Sequence, residues 1–205
     1  GHPVATAGAG AGLAPALRRH LIAVGASTGG TKALEVLLSS MPQWSPGVAI
    51  VQHMPAGFTT AFAERLNHIS AMTVREAKDG DVLIQGTALV APGGFHMELV
   101  RGAAGGFVAR LHEGPKEHHQ RPAVDVLFRS VAKLAPSDAV GVLLTGMGAD
   151  GATGLKAMRD AGSHTIAQDE ATCVVFGMPG AAVKLNAAQE VLPLPSIAEA
   201  VIAAA

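Results

Sequence analysis

Short apolar runs alternate along this chain with segments whose apolar residues recur every three or four positions. Residues 20–24, 48–52, 87–91 and 140–144 are apolar runs of strand length, and 165–167 is a shorter one. Residues 31–39, 58–67, 124–134, 152–161, 179–184 and 197–204 carry the helical period. Nearly continuous apolar strands separated by amphipathic helices predict an α/β fold, doubly wound, with a mostly parallel sheet covered by helices on both faces. The pattern changes once. Residues 97–100 and 107–111 flank Gly102-Ala103-Ala104-Gly105-Gly106, which predicts an antiparallel hairpin added to that frame. Residues 112–120 are polar and His-rich and read as a loop. Residues 4–15 are almost all small and uncharged with no periodic face, so residues 1–19 read as a linker or tag remnant and 20–205 as one domain.

Composition narrows the classes. A chain of 205 residues, 49% hydrophobic, can bury one good-sized core. A net charge of −1 offers no basic field for nucleic acid or an anionic membrane. Aromatics make up 3%, with no Tyr, which argues against a base-stacking platform. The single Cys173 excludes an internal disulfide and fits a reducing compartment; its apolar surroundings suggest a buried, inert thiol. No apolar run reaches the roughly 18 residues of a spanning helix, so a cytoplasmic setting without membrane insertion is expected. The start, Gly1-His2-Pro3, reads as a cleavage scar or a cut fragment.

In doubly wound sheets, ligands bind at the carboxyl ends of the strands. Three turns are predicted there. The first, Gly25-Ala26-Ser27-Thr28-Gly29-Gly30, is a strand-to-helix turn of G-x-S-x-G type. It lifts a serine hydroxyl from the backbone and leaves N–H groups for developing negative charge. Ser27 is therefore a candidate nucleophile; the alternative is a helix-capping serine. The second turn holds His53 in Val51-Gln52-His53-Met54-Pro55, a candidate base or else a structural histidine. The third runs from Leu144 to Gly151. Its Asp150 is either the orienter of an imidazole or the N-cap of the following helix, and Met147 or Gly148 is a candidate N–H donor to an oxyanion. The glycine turns also suit phosphate, but they lack G-x-G-x-x-G spacing and the P-loop lysine. His118-His119 has no partner at ligand spacing and reads as solvated loop, so no metal is expected. Arg121-Pro122 is expected to start a helix, with Arg121 solvating it or meeting an acidic partner. Met54, Met147 and Met178 are either apolar lining or core.

Six stretches in order resemble the catalytic domain of the chemotaxis protein-glutamate methylesterases, or CheB-type methylesterases. They are residues 22–30 (IAVGASTGG), 51–55 (VQHMP), 91–94 (APGG), 121–128 (RPAVDVLF), 143–152 (LLTGMGADGA) and 166–179 (IAQDEATCVVFGMP). The likeness runs from about His20 to the C-terminus. It implies a Ser27–His53–Asp150 triad, with Met147 N–H in the oxyanion site and Thr28 beside it. It implies demethylation of glutamate methyl esters, and deamidation of glutamines, on the cytoplasmic helices of chemoreceptors, with no cofactor. Family members usually carry an N-terminal receiver domain, so the small-residue segment before Arg19 is expected to be the interdomain linker. The family order Ser, His, Asp differs from that of α/β-hydrolases. A same-fold esterase or amidase with another substrate, and a non-catalytic binding module, stay open.

Overall fold

The computed structural model describes residues 14–205. The first thirteen residues, most of the expected linker, lie outside the described residues. Seven strands form one parallel sheet: β1 (Leu21–Ala26), β2 (Gly47–Gln52), β3 (Thr73–Glu76), β5 (Thr87–Val90), β8 (Ala139–Leu143), β9 (His164–Gln168) and β10 (Glu190–Leu192). Their order is β10-β9-β8-β1-β2-β5-β3. The hairpin of β6 (His96–Arg101) and β7 (Phe107–His112) joins the two-residue β4 (Val82–Leu83) in a separate antiparallel sheet. The predicted antiparallel addition is therefore a second small sheet.

Alternation along β1 shows why both faces need cover. Leu21 and Ala23 enter one core, while Ile22 and Val24 enter the other. Helices α1 (Gly30–Ser39), α2 (Thr59–Ile69) and α6 (Leu194–Ala204) pack on the Ile22 side. Helices α3 (Val124–Leu134), α4 (Ala152–Ala161) and α5 (Met178–Lys184) pack on the Leu21 side, together with Met97 and Leu99 of the small sheet. In α1 the buried set is Gly30, Ala33, Leu34, Leu37 and Leu38, the i, i+3, i+4, i+7, i+8 stripe of a helix with one covered face. Among the described residues no helix is long and apolar enough to cross a membrane.

The chain builds outward from β1 to β2, β5 and β3, then returns to place β8 on β1's other side. The switch in winding direction falls between β1 and β8, and in sheets of this kind ligands bind at the strands' carboxyl ends near such a switch. Ser27, His53 and the Thr145–Asp150 turn follow β1, β2 and β8, so three turns distant in sequence meet at that edge.

Two expectations need correction. β1 runs to Ala26, because Gly25 still pairs with Val51 and Leu143, so the first turn begins two residues later than its glycine suggests. Arg121-Pro122 does not begin α3. Ala123 is the N-cap and Val124 the first helical residue, so Pro122 lies outside the helix. The Arg121 guanidinium is instead held within the fold, donating to the carbonyls of Gly94 (2.7 Å) and Gly114 (3.1 Å) and tying the polar loop down.

Candidate active site

Ser27 sits at the exit of β1 under tight backbone control. Its N–H donates to Thr145 O at 2.9 Å, and its carbonyl accepts Gly30 N at 2.7 Å and Gln52 Nε2 at 2.9 Å. The N-cap of α1 is Gly29 at φ 80°, with no side-chain cap, so Ser27 does not serve as the capping serine. Gly29 suits that left-handed backbone, and a Cβ there would lie 2.5 Å from Val174 Cγ2. The N-terminus of α1 thus opens beside Ser27 with the positive end of its helix dipole, its first N–H, that of Gly30, being taken up by the Ser27 carbonyl.

His53 hangs from the same edge, its N–H donating to Ala26 O at 3.1 Å. Its imidazole is 6% exposed and bonds Asp150 Oδ2 through Nε2 at 2.6 Å. Nδ1 is buried and has no partner among the described residues. A proton on Nε2, donated to the carboxylate, leaves Nδ1 as an acceptor; this tautomer is assigned from the hydrogen bond. The ring therefore uses the opposite nitrogens to the familiar serine-protease arrangement, in which Nδ1 faces the aspartate. Ser27, Thr28, Thr31, Gln52, His53 and Phe58 line one open hollow of about 390 Å³. A larger groove, about 480 Å³ between the small sheet and α3, contains none of the candidate residues, so chemistry and not volume singles out the Ser27 hollow.

Asp150 is 1% exposed. Besides His53 it accepts Val124 N (2.7 Å, on Oδ2) and Asp125 N (2.8 Å, on Oδ1). It is a cap after all, but of α3 rather than of the α4 that follows it. The N-terminus of α4 is instead served by Asp125, whose Oδ1 accepts Gly154 N at 2.7 Å. The two aspartates thus cap each other's helices. Orienting His53 and capping coexist because the carboxylate has enough lone pairs for both. Burial pushes the Asp150 carboxyl up, but the His53 hydrogen bond, the Asp125 and Val124 N–H groups and the imidazole charge together hold it below the usual carboxylate range.

His118 is more than a solvated loop residue. Its Nε2 lies 2.7 Å from Asp125 Oδ2 and 3.9 Å from Asp150 Oδ1. His118, Asp125 and Asp150 offer three ligand-type atoms within 4.8 Å of one another. Their oxygens already accept N–H donors, which makes the group a hydrogen-bonded cluster bracing the Asp150 carboxylate. The histidine and aspartate are seven residues apart across a loop, a spacing with no local signature.

Thr145 joins the first and third turns. Its Oγ1 donates to Thr28 O at 2.9 Å and accepts Val175 N at 3.1 Å, and its N–H donates to Gln168 Oε1 at 2.8 Å. Gly146 follows, and a Cβ there would lie 2.4 Å from Met178 Sδ and 2.7 Å from Ser27 Cβ. Gly146→Ala is expected to lower ester hydrolysis at least tenfold by displacing Ser27, with a smaller fall in melting temperature from crowding. Kinetics and thermal melts on the one variant check both. Met178 is fully buried, Met147 is 66% exposed at the site's rim, and Met54 lines the hollow, so the three methionines divide between core and lining.

Cys173 is only half-buried, contrary to the expectation of a buried thiol. Its inertness has another basis. Desolvation raises the thiol to about 11, with Asp169 and Glu170 adding to the effect against a bond from Thr145. At pH 8 about one thiol in a thousand is ionised. Iodoacetamide labelling of the native protein should run about a hundredfold or more slower than for an unfolded control; labelling at the control's rate would contradict this.

A family model described as CheB methylesterase matches residues 22–201. The chain belongs to the CheB methylesterase family. It is 55% identical over 183 residues to protein-glutamate methylesterase/protein-glutamine glutaminase 1 of Pseudomonas savastanoi pv. phaseolicola, covering 89% of this chain and 51% of that protein. The protein-glutamate methylesterase/protein-glutamine glutaminase 2 of Syntrophus aciditrophicus is 57% identical over 182 residues, with 89% and 53% covered. The crystal structure of the Thermotoga maritima CheB methylesterase catalytic domain matches with a TM-score of 0.88 at 37% identity, covering 92% of this chain and all of that one. The doubly wound architecture is thus that of the family's catalytic domain. The chain spans about half the length of the curated relatives it matches.

Proposed function

We propose that this chain is the catalytic domain, residues 20–205, of a cytoplasmic protein-glutamate methylesterase and protein-glutamine glutaminase acting on chemoreceptor helices. The observation carrying this reading is the His53 ring, fixed through Nε2 on the ionised Asp150 with a buried, unpartnered Nδ1, in the same hollow as Ser27. Ser27 Oγ attacks the γ-carbonyl carbon of the substrate as its proton passes to His53 Nδ1. The imidazolium formed is stabilised by Asp150, which stays ionised. The carbonyl oxygen, now negative, takes hydrogen bonds from Thr28 N–H and Met147 N–H. The tetrahedral intermediate collapses as His53 returns the proton to the leaving oxygen and methanol departs. Water, deprotonated by His53, then attacks the acyl-serine and releases glutamate. With an amide substrate the leaving group is ammonia, and the steps are the same.

Phe58, Met147 and Val174, 63%, 66% and 70% exposed, stand around the site as an apolar rim. Such a surface suits a helix docking to present a glutamate side chain, and suits a receiver domain that covers the edge when the enzyme is off. Methanol release from methyl-labelled receptor membranes tests the reading: release by the parent and none by Ser27→Ala supports it. No release from a folded parent removes the receptor as substrate.

A further inference from the structure

The two amides assigned to the oxyanion share a feature that points to an additional residue. A trans peptide unit sends its carbonyl and its N–H in opposite directions, so whatever grips the carbonyl aims the N–H. The Ser27–Thr28 bond is trans, and the Ser27 carbonyl is gripped twice, by Gly30 N at 2.7 Å and by Gln52 Nε2 at 2.9 Å. The Gly146–Met147 bond is also trans, and the Gly146 carbonyl is gripped twice, by Gly177 N at 3.1 Å and Met178 N at 2.9 Å. Among the described residues neither Thr28 N–H nor Met147 N–H donates to any protein acceptor. Three of the four anchors are backbone groups. The fourth is a side chain, and it can be replaced.

We propose that Gln52 is a positioning residue for the acyl-transfer step, aiming the Thr28 N–H at the oxyanion by holding the Ser27 carbonyl from behind. This rests on the esterase reading above. Gln52 is the last residue of β2 and 4% exposed, so its amide is a buried group with a fixed approach. The same Nε2 also reaches His53 O at 3.3 Å, so one amide nitrogen spans the backbones of the nucleophile and the base. Its Oε1 is buried with no partner among the described residues, an arrangement that costs free energy and that packing alone would not select. The amide is wedged beneath α1: a Cβ on Gly30 would lie 2.2 Å from Oε1. A side chain at position 30 would displace the amide, which explains the need for glycine at the first position of α1. An orphaned acceptor is tolerated where the donor at the other end of the group has a use.

The test compares Gln52→Met, which keeps length without the donor, and Gln52→Asn, which keeps the amide but falls one methylene short. Two readouts are taken: methanol release from methyl-labelled receptor membranes, and the rate at which a fluorophosphonate modifies Ser27. The expected result in both variants is a fall of about ten- to a hundredfold in kcat and in the phosphonylation rate, with KM within about twofold of the parent. Misaimed oxyanion donors slow bond-making without weakening ground-state docking, whereas a merely structural role would move KM and melting temperature together. Rates within about twofold of the parent in a folded variant would overturn the proposal, as would loss of folding in both. A parent that fails to release methanol yet reacts with the phosphonate would sink the receptor substrate, while the phosphonylation rates still decide the role of Gln52.

Discussion

Replacing Ser27 with alanine is expected to lower methanol release by a factor on the order of 10⁴ or more while leaving the fold intact. Both halves of the expectation have a structural basis. The hydroxyl makes no hydrogen bond among the described residues, so its loss leaves no buried partner stranded. The serine is held by its backbone, through Thr145 O, Gly30 N and Gln52 Nε2, and alanine keeps all three bonds. The Cβ that Gly146 accommodates is also retained. Stability should therefore change by less than about 0.5 kcal/mol. Thermal melts and methanol assays on the same preparation separate the two effects. Substantial residual activity in a folded Ser27→Ala protein would remove Ser27 as the nucleophile.

Asp150 is expected to behave differently, because its carboxylate caps α3 and, in the proposed mechanism, also orients His53. Asp150→Ala strips three bonds at once and leaves Val124 N–H and Asp125 N–H buried without acceptors. The expected cost is about 3–5 kcal/mol, with activity lost through the disoriented imidazole. Asp150→Asn keeps the shape and one acceptor oxygen, but its NH₂ must face either His53 Nε2 together with Val124 N–H, or Asp125 N–H. Activity should fall on the order of 10⁴-fold, with a milder loss of stability. Denaturant unfolding measured beside kinetics resolves the two roles; a fully stable but inactive Asn variant would show that capping by Asp150 contributes little.

The same carboxylate sets a pH expectation. Its folded-state pKa is depressed below the unfolded value of about 3.9, so its contribution to stability is fully present above that value. It is lost as pH falls through the folded-state pKa. Acid unfolding should therefore begin below about pH 4 for the parent, and Asp150→Asn should show a shallower decline with acid. Parallel acid-unfolding curves would contradict this linkage.

Where burial and local period agree, the sequence pattern and the structure coincide. The helices at 124–134 and 152–161 match α3 and α4 at both ends, since each shows a clear apolar stripe bounded by turn residues. The elements the pattern does not reveal are short or marginal. β3 and β10 are the two edge strands of the parallel sheet; only Val74 is buried in β3 and no residue is fully buried in β10, so neither presents an apolar run. β4 has two residues and exists by pairing with β7. α6 begins at Leu194 rather than 197, because Pro195 near its start suits a first helical turn.

The site divides in the same way. Ser27, His53 and Asp150 are legible because each sits in a turn where strand hydrophobicity stops at glycine or proline. The double role of Asp150 is not, because its capped N–H groups lie 25 and 26 residues away on another helix. His118 reads as a solvated histidine until α3 brings Asp125 beneath it. Gln52 reads as the polar end of an apolar strand, and only the course of the Ser27 carbonyl gives its amide a purpose.

Covalent attack by Ser27, activated through His53 Nδ1, is the step on which the proposed function rests. Exposure of the protein to a fluorophosphonate, followed by mass spectrometry of its peptides, tests this most directly. The predicted result is one adduct per chain, on Ser27, formed rapidly by the parent and at least about a thousandfold more slowly by a folded His53→Ala variant. No adduct on a folded parent, an adduct on another residue, or an unchanged rate without His53 would contradict a nucleophilic Ser27 activated by His53.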